Sequence, residues 1–113
     1  MYLLHMSNVT KVYQVVFWDG TADVTKGFYS TLERAQNAQK STTEKHVVAG
    51  ATIMDHWVEV DRANQPIYLC IGHTEDSRVT LVTTSPAQVQ NFINDYSDQN
   101  GWCHPIVFTF ILD

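Results

Sequence analysis

Five histidines and two cysteines are the side chains of this chain best suited to bind a metal or to do covalent chemistry. The histidines are His5, His46, His56, His73 and His104. No two of them have the i, i+4 spacing of a helical metal site, and the cysteines do not form a Cys-x-x-Cys motif. Cys103 and His104 are adjacent, so on a strand they would point to opposite faces. We therefore predict no metal site and no cofactor.

Asp55 and His56, beside Trp57, are the pair closest to an acid–base arrangement. On a strand, however, these two side chains alternate between faces, and no substrate cavity is visible in the sequence. His73 with a nearby carboxylate is a second candidate of this kind. The chain has no glycine-rich phosphate loop and no nucleophile elbow. We expect a protein that is not an enzyme, and a small histidine-dependent enzyme stays open as an alternative.

Aromatic side chains near predicted turns and strand ends are more suggestive of binding. Trp18 and Asp19 lie at a predicted hairpin tip, and Tyr29 ends the second strand of that hairpin. Trp57 lies on a strand that we expect to be central, where it could flank the same patch as Trp18. Tryptophan and tyrosine are enriched at the centres of protein interfaces. We predict a binding surface formed by Trp18, Asp19, Tyr29 and Trp57, with packing in the core as the alternative for each.

Composition narrows the classes of partner. The 113 residues contain 7 Lys and Arg against 12 Asp and Glu, a formal net charge of −5. Direct nucleic-acid binding is not expected, because it needs clustered cations. No window approaches the roughly 18 apolar residues that span a membrane, and the N-terminus lacks a basic signal region. We expect a cytoplasmic protein with Cys70 and Cys103 as free thiols, and leave open whether Met1 or Met6 is the natural start.

Each half of the chain shows the same order of predicted elements. The first half has strands at 12–18, 24–29 and 52–60. The second half has strands at 67–73, 78–84 and 105–112. In each half a helix follows the second strand, so both halves are strand–strand–helix–strand. Residues 12–61 and 67–113 are therefore candidates for pseudo-repeats, and an ordinary meander of hairpins and helices is the alternative.

Two capping boxes mark the helix starts. Ser30 with Glu33 begins the first helix, and Ser85 with Gln88 begins the second, in which Pro86 takes the first helical position. Asn100-Gly101 is the predicted C-cap of the second helix. Residues 41–51 stay open, since the first helix could end near Lys40 or continue to Val48.

These elements predict a single α+β domain over residues 1–113. Its core is a mostly antiparallel sheet of about six strands, with two helices on one face, and a ferredoxin-like arrangement is one realisation. The last strand, 106–112, and the strand at 67–71 are apolar on both faces. Such strands are usually buried on both faces. We therefore predict a homodimer in which a second copy covers the face without helices. The order of the strands stays open.

Several local features resemble a loose class of small phage and bacterial domains of unknown function. In residues 12–61 these features are Val12-Tyr13, Gly27-Phe28-Tyr29-Ser30, Ala35 with Ala38, and Val58-Glu59-Val60-Asp61. The resemblance implies a small accessory protein, but it gives no functional residues to transfer.

Taken together, these observations predict a non-enzymatic inhibitor or accessory protein, encoded by a phage or mobile element, that occludes a host protein. Acidic side chains at Asp19, Asp23, Glu75 and Asp76 would favour a basic partner surface. The alternative is a module that binds a small metabolite or nucleotide at a dimer interface. The presence of only three arginines, Arg34, Arg62 and Arg78, counts against an anionic ligand.

Overall fold

The computed structural model describes residues 9–46, 50–74, 76–97 and 104–113. In chain order the elements are β1 (Val9–Trp18), β2 (Asp23–Tyr29), α1 (Leu32–His46), β3 (Ala51–Glu59), β4 (Pro66–His73), β5 (Arg78–Thr83), α2 (Pro86–Tyr96) and β6 (Ile106–Ile111). The predicted α+β class, six strands and two helices are confirmed.

The six strands form two antiparallel sheets of three strands, where the sequence suggested one larger sheet. The strand order is β2-β1-β3 in the first sheet and β5-β4-β6 in the second. In both, the first strand of the half is central, with its hairpin partner on one side and the strand after the helix on the other. The chain accordingly divides into two compact units, Met1–Gln65 with Ile111–Asp113, and Pro66–Phe110. That the halves are pseudo-repeats within one domain stays a prediction.

In the first unit, α1 packs on all three strands of its sheet. Ala35 is fully buried against Val15 and Tyr29, as small residues at this spacing allow. The helix is capped one residue later than the sequence suggested, because the Thr31 hydroxyl accepts a hydrogen bond from the N–H of Arg34 at 3.2 Å. Ser30 and Glu33 therefore do not form a capping box. Helix α1 runs to His46, well beyond Lys40, and residues 47–49 lie outside the described part.

The face of the first sheet that lies away from α1 is buried as well. Val12, Gln14, Phe28 and Val58 alternate with the residues that contact the helix, and each is 6% exposed or less. At these four positions the second face of the sheet is therefore shielded from solvent as well.

In the second unit, α2 packs on β4 and β5. The predicted N-cap is confirmed: the Ser85 hydroxyl accepts from the N–H of Gln88 at 3.2 Å, and Pro86 follows. In a full capping box the Gln88 side chain would accept the N–H of Ser85. Here the Thr83 hydroxyl accepts that N–H at 3.0 Å and donates to the Gln88 side chain. The helix ends at Tyr96 with Ser97 as its C-cap, whose N–H donates to the carbonyl of Ile93 at 2.9 Å. The predicted C-cap at Asn100-Gly101, which lies outside the described residues, is therefore wrong, because the helix stops three residues earlier than the sequence suggested.

Candidate functional site

Trp57 is the most exposed of the large apolar side chains that the structure describes, and Lys11 lies against its ring. They lie opposite each other in the register of β1 and β3, and the Lys11 Nζ is 5.2 Å from the centroid of the indole ring. The same Nζ is 3.4 Å from an oxygen of Asp55. At exposed positions a cation–π contact or an ion pair is worth about 1 kcal/mol or less. These contacts therefore orient the Trp57 ring more than they stabilise the fold.

An open groove of about 600 Å³ lies beside this pair. It is lined by Lys11, Tyr13, Leu32, Ile53, Met54 and Asp55. We call this groove, together with Trp57, the Trp57 groove. Tyr13 and Ile53 reach it from the core of the unit, whereas Leu32 and Met54 are 45% and 48% exposed. The groove therefore offers an apolar floor with a cation and a carboxylate at its side, which suits one apolar and one polar side chain of a partner.

The other predicted binding residues lie elsewhere. Trp18 is exposed at the far end of β1, opposite Asp23 on β2. It is seven positions along the strand from Lys11, or about 23 Å. Trp57 is on an edge strand and not on a central one. Trp18 and Trp57 therefore do not flank one patch.

Asp19 is occupied by its own turn. One carboxylate oxygen accepts the N–H of Thr21 at 2.8 Å, the N–H of Ala22 at 2.9 Å, and the Thr21 hydroxyl. These bonds, led by that from the Thr21 N–H, lower the pKa of Asp19. The side chain holds the hairpin tip in place, which is the role that aspartate commonly has in turns.

Tyr29 belongs to the core. It is 9% exposed and packs with Val15 and Ala35. Burial raises the pKa of its hydroxyl, and the negative charge of Asp113 raises it further. For this residue the core-packing alternative describes the structure.

His56 is joined to a buried amide. Its Nε2 lies 2.7 Å from Oε1 of Gln14, and the Gln14 amide donates to the Thr25 hydroxyl at 2.8 Å. An amide oxygen can only accept, so with Gln14 in this orientation His56 donates through a protonated Nε2. Burial lowers the pKa of His56, against the opposing effect of Asp55. The polar position of Gln14 within an apolar strand was the sequence signal for this chain of hydrogen bonds.

The remaining reactive side chains are separated from one another. His73 is exposed at the end of β4, and Cys70 is a buried thiol whose pKa is raised by burial. Within the four described ranges no three His, Cys, Asp or Glu side chains form a group that could hold a metal. His5, Glu75 and Cys103 lie outside those ranges.

A second cavity, of about 340 Å³, lies in the first unit near the end of β3. Its charged and polar lining consists of Ser30, Arg34, Asp61, Arg62, Asn64 and Asp113. The loop on one side is fixed by the buried Gln65 side chain, whose oxygen accepts the N–H groups of Asp61 and Arg62 at 2.6 and 3.2 Å. With two guanidinium groups and two carboxylates, this cavity suits a small ligand that carries both signs of charge.

Comparison with known proteins adds no relative, because no family model, curated protein or solved structure matches the chain. The resemblance to phage and bacterial domains stays a prediction. Of the two helices that the structure describes, neither has both the length and the apolar character needed to cross a bilayer.

Proposed function

We propose that this protein is a non-enzymatic binding protein that occludes a partner protein through the Trp57 groove. The observation that carries the proposal is the 67% exposed Trp57, whose ring is held by Lys11 at the side of an apolar groove. A tryptophan side chain offers a large contact area and has only two side-chain torsions, so it loses little conformational entropy on contact. Residues of this kind account for much of the binding energy in protein interfaces.

The proposed partner is a host protein with a basic surface. This protein would be encoded by a phage or mobile element and would bind that partner in the cytoplasm. A net charge of −5 speeds encounter with such a surface and disfavours acidic ones. Asp55 and Glu59 are the exposed carboxylates on the strand that carries Trp57. They are better test positions for this charge effect than Asp19, because reversing Asp19 would also break its turn.

Site-specific photo-crosslinking tests this proposal. A photoreactive phenylalanine derivative at position 57 should trap the partner, and the same derivative at position 18 should not, since Trp18 is equally aromatic but about 23 Å distant. With the trapped partner purified, Trp57→Ala should weaken binding about 30-fold or more, the roughly 2 kcal/mol of an interface hot spot. Trp18→Ala should leave binding within about twofold. Equal losses for the two variants would contradict the assignment.

A homodimer is proposed through β6. Ile106 and Phe108 on this edge strand are 48% and 45% exposed, and β6 has no charged residue. Exposed apolar patches usually mark interaction sites, and in a symmetric dimer the same patch of a second copy covers them. Native mass spectrometry should give twice the chain mass, and Phe108→Asp should give the monomer. A monomer at all concentrations for the unchanged protein would remove this proposal.

The second candidate function is binding of a small metabolite in the cavity lined by Arg34 and Arg62. The observation in its favour is that two of the three arginines of the chain line one cavity of about 340 Å³, within the size range of ligand pockets. A thermal-shift screen of amino acids and small carboxylates should then give a hit that Arg34→Ala abolishes. Without such a hit, this candidate fails.

A further inference from the structure

Along the edge strand β3, the backbone N–H and C=O groups of every second residue point away from the sheet. On the opposite edge, Phe28 accepts from the N–H of Asp113 at 3.0 Å, so the backbone of Phe28 points away from β1. Hydrogen-bonded and non-bonded pairs alternate along an antiparallel ladder. Gln14, which is opposite Phe28, must therefore bond to β3 through its partner Met54. It follows that the N–H and C=O groups of Ile53 and Asp55 point outward.

Two glutamine side chains agree with this direction. The Gln39 amide donates to the carbonyl of Ala51 at 2.6 Å, and the Gln65 amide approaches the carbonyl of Glu59 at 3.5 Å. Ala51 and Glu59 have the same parity as Ile53 and Asp55, and both carbonyls are reached from outside the β1–β3 ladder. The side chains cover the two ends of the edge and leave the part between them open.

The open part consists of Ile53, Asp55 and Trp57. Among the residues that the structure describes, no strand pairs with the outer side of β3, and no hydrogen bond occupies the outward groups of these three. Their side chains lie along the Trp57 groove, on the face that carries α1. One short segment of edge therefore combines unpaired backbone groups with an exposed tryptophan, a carboxylate and an apolar floor.

The two edges of this sheet differ in protection. On the outer side of β2, the backbone of Asp113 forms hydrogen bonds with Phe28 and Ser30. A bulge also interrupts the pairing of β2 with β1, and Lys26 adds a charge to this edge. Bulges, lysines and covering segments are the devices that keep edges from pairing with other chains. Strand β3 has no lysine, arginine, proline or glycine in its nine residues. Its two charged side chains, Asp55 and Glu59, are both acidic.

We propose that the partner adds an extended segment to β3 as a fourth strand, with a basic side chain opposite Asp55 and β-branched side chains opposite Ile53 and Trp57. This inference rests on the proposed function and names the form of the partner. Main-chain bonds to the three outward residues supply affinity, and side chains in the groove supply specificity, as in other strand-addition complexes. Opposite charges directly across two strands favour pairing and like charges oppose it, so the acidic edge selects a basic segment.

The probe is a peptide of sequence TVTKTVT with blocked termini, in which lysine and both valines fall on one face of a strand. In two-dimensional amide NMR spectra, TVTKTVT should shift the N–H signals of Ile53, Asp55 and Trp57 more than those of Met54 and His56. The same peptide with methylated amides on the edge that faces β3 should not bind. Replacing its lysine with glutamate should weaken binding, and Asp55→Lys should reverse that preference about tenfold, the effect of roughly 1.4 kcal/mol.

Different results identify which proposal fails. If crosslinking at position 57 traps a partner but neither TVTKTVT nor a segment of that partner shifts the three outward amides, the proposed function stands and strand addition is overturned. If the peptide binds but Trp57→Ala leaves partner binding unchanged, the edge binds strands but the proposed function fails. Protection of these amides that disappears on dilution of the free protein would show a second copy on β3, and would also overturn the proposal.

Discussion

Proline at two neighbouring positions of β3 tests the direction of its backbone hydrogen bonds. Met54→Pro removes an N–H that bonds to Gln14 in the ladder with β1, whereas Asp55→Pro removes an N–H that points outward. The two positions adjoin on one strand and are both exposed. The variants therefore differ mainly in whether the lost donor had a partner within the sheet.

The expected free energies follow from this geometry. Met54→Pro leaves the Gln14 carbonyl without its donor, which costs about 1–3 kcal/mol, and the proline ring disturbs the ladder further. Asp55→Pro loses no hydrogen bond of the ladder. Proline also lowers the conformational entropy of the unfolded chain, which stabilises the fold by about 0.4–1 kcal/mol and offsets the cost of adjusting φ at this position. Each variant is compared with alanine at the same position, which subtracts the Met54 side chain and the Lys11–Asp55 ion pair. We expect a proline-minus-alanine loss of about 2–3 kcal/mol at 54 and under about 1 kcal/mol at 55.

Urea unfolding followed by circular dichroism measures these differences. With an m-value of about 1–3 kcal/mol/M, the Met54→Pro midpoint should fall by about 1 M or more relative to Met54→Ala. The Asp55→Pro midpoint should stay close to that of Asp55→Ala. If the cost at 55 matches or exceeds the cost at 54, the outward residues are the even-numbered ones, and the strand-addition site has been placed on the wrong groups.

Three further measurements address the rest of the structure. Gly72→Ala should cost about 1–3 kcal/mol in thermal unfolding, because its Cβ would lie 2.9 Å from the Tyr96 ring; an unchanged midpoint would show that the ring moves freely. Ser85→Ala should cost about 1 kcal/mol through loss of the N-cap, measured by the same assay, and a neutral result would argue against that cap. Burial lowers the pKa of His56 below its usual 6.5, so its contribution to stability is present above pH 6.5 and is lost as the pH falls through the folded-state pKa. Urea unfolding between pH 5 and 8 should show this decline, and His56→Gln should reduce it; the same slope in both proteins would assign the decline to other groups.

Local patterns predicted the elements well and their pairing less well. β-branched runs and turn residues located all six strands to within a few residues, because these signals come from neighbours in the sequence. Which strands pair depends on contacts between distant segments, so the division into two sheets had no local signal. The shift of the first N-cap from Ser30 to Thr31 has a simple cause: both side chains can cap, and the strand end decides which one does.

The candidate site shows the same limit. Alternation along β3 predicted that Asp55 and His56 lie on different faces, and the structure joins them to Lys11 and to Gln14 respectively. The sequence could not distinguish a buried Tyr29 from an exposed Trp57, because exposure depends on what packs over each face. The sequence also did not show that β3 is an edge strand, although this position is what makes the backbone of β3 accessible.

Strands β3 and β6 occupy equivalent positions, since each follows the helix of its unit and each is an edge of its sheet. Backbone groups are the same on any edge, so the main chain alone cannot direct different partners to the two strands. The side chains can: β3 presents carboxylates beside Trp57, whereas the exposed residues of β6 include Ile106 and Phe108 and no charge. On β3 a lysine of an added segment would share the Asp55 carboxylate with Lys11. On β6 the same lysine would be desolvated with no carboxylate on that strand to pair with it. We therefore expect a basic segment to bind at β3 and the apolar β6 of a second copy to bind at β6. The two edge strands have equivalent positions in their sheets but would bind different partners.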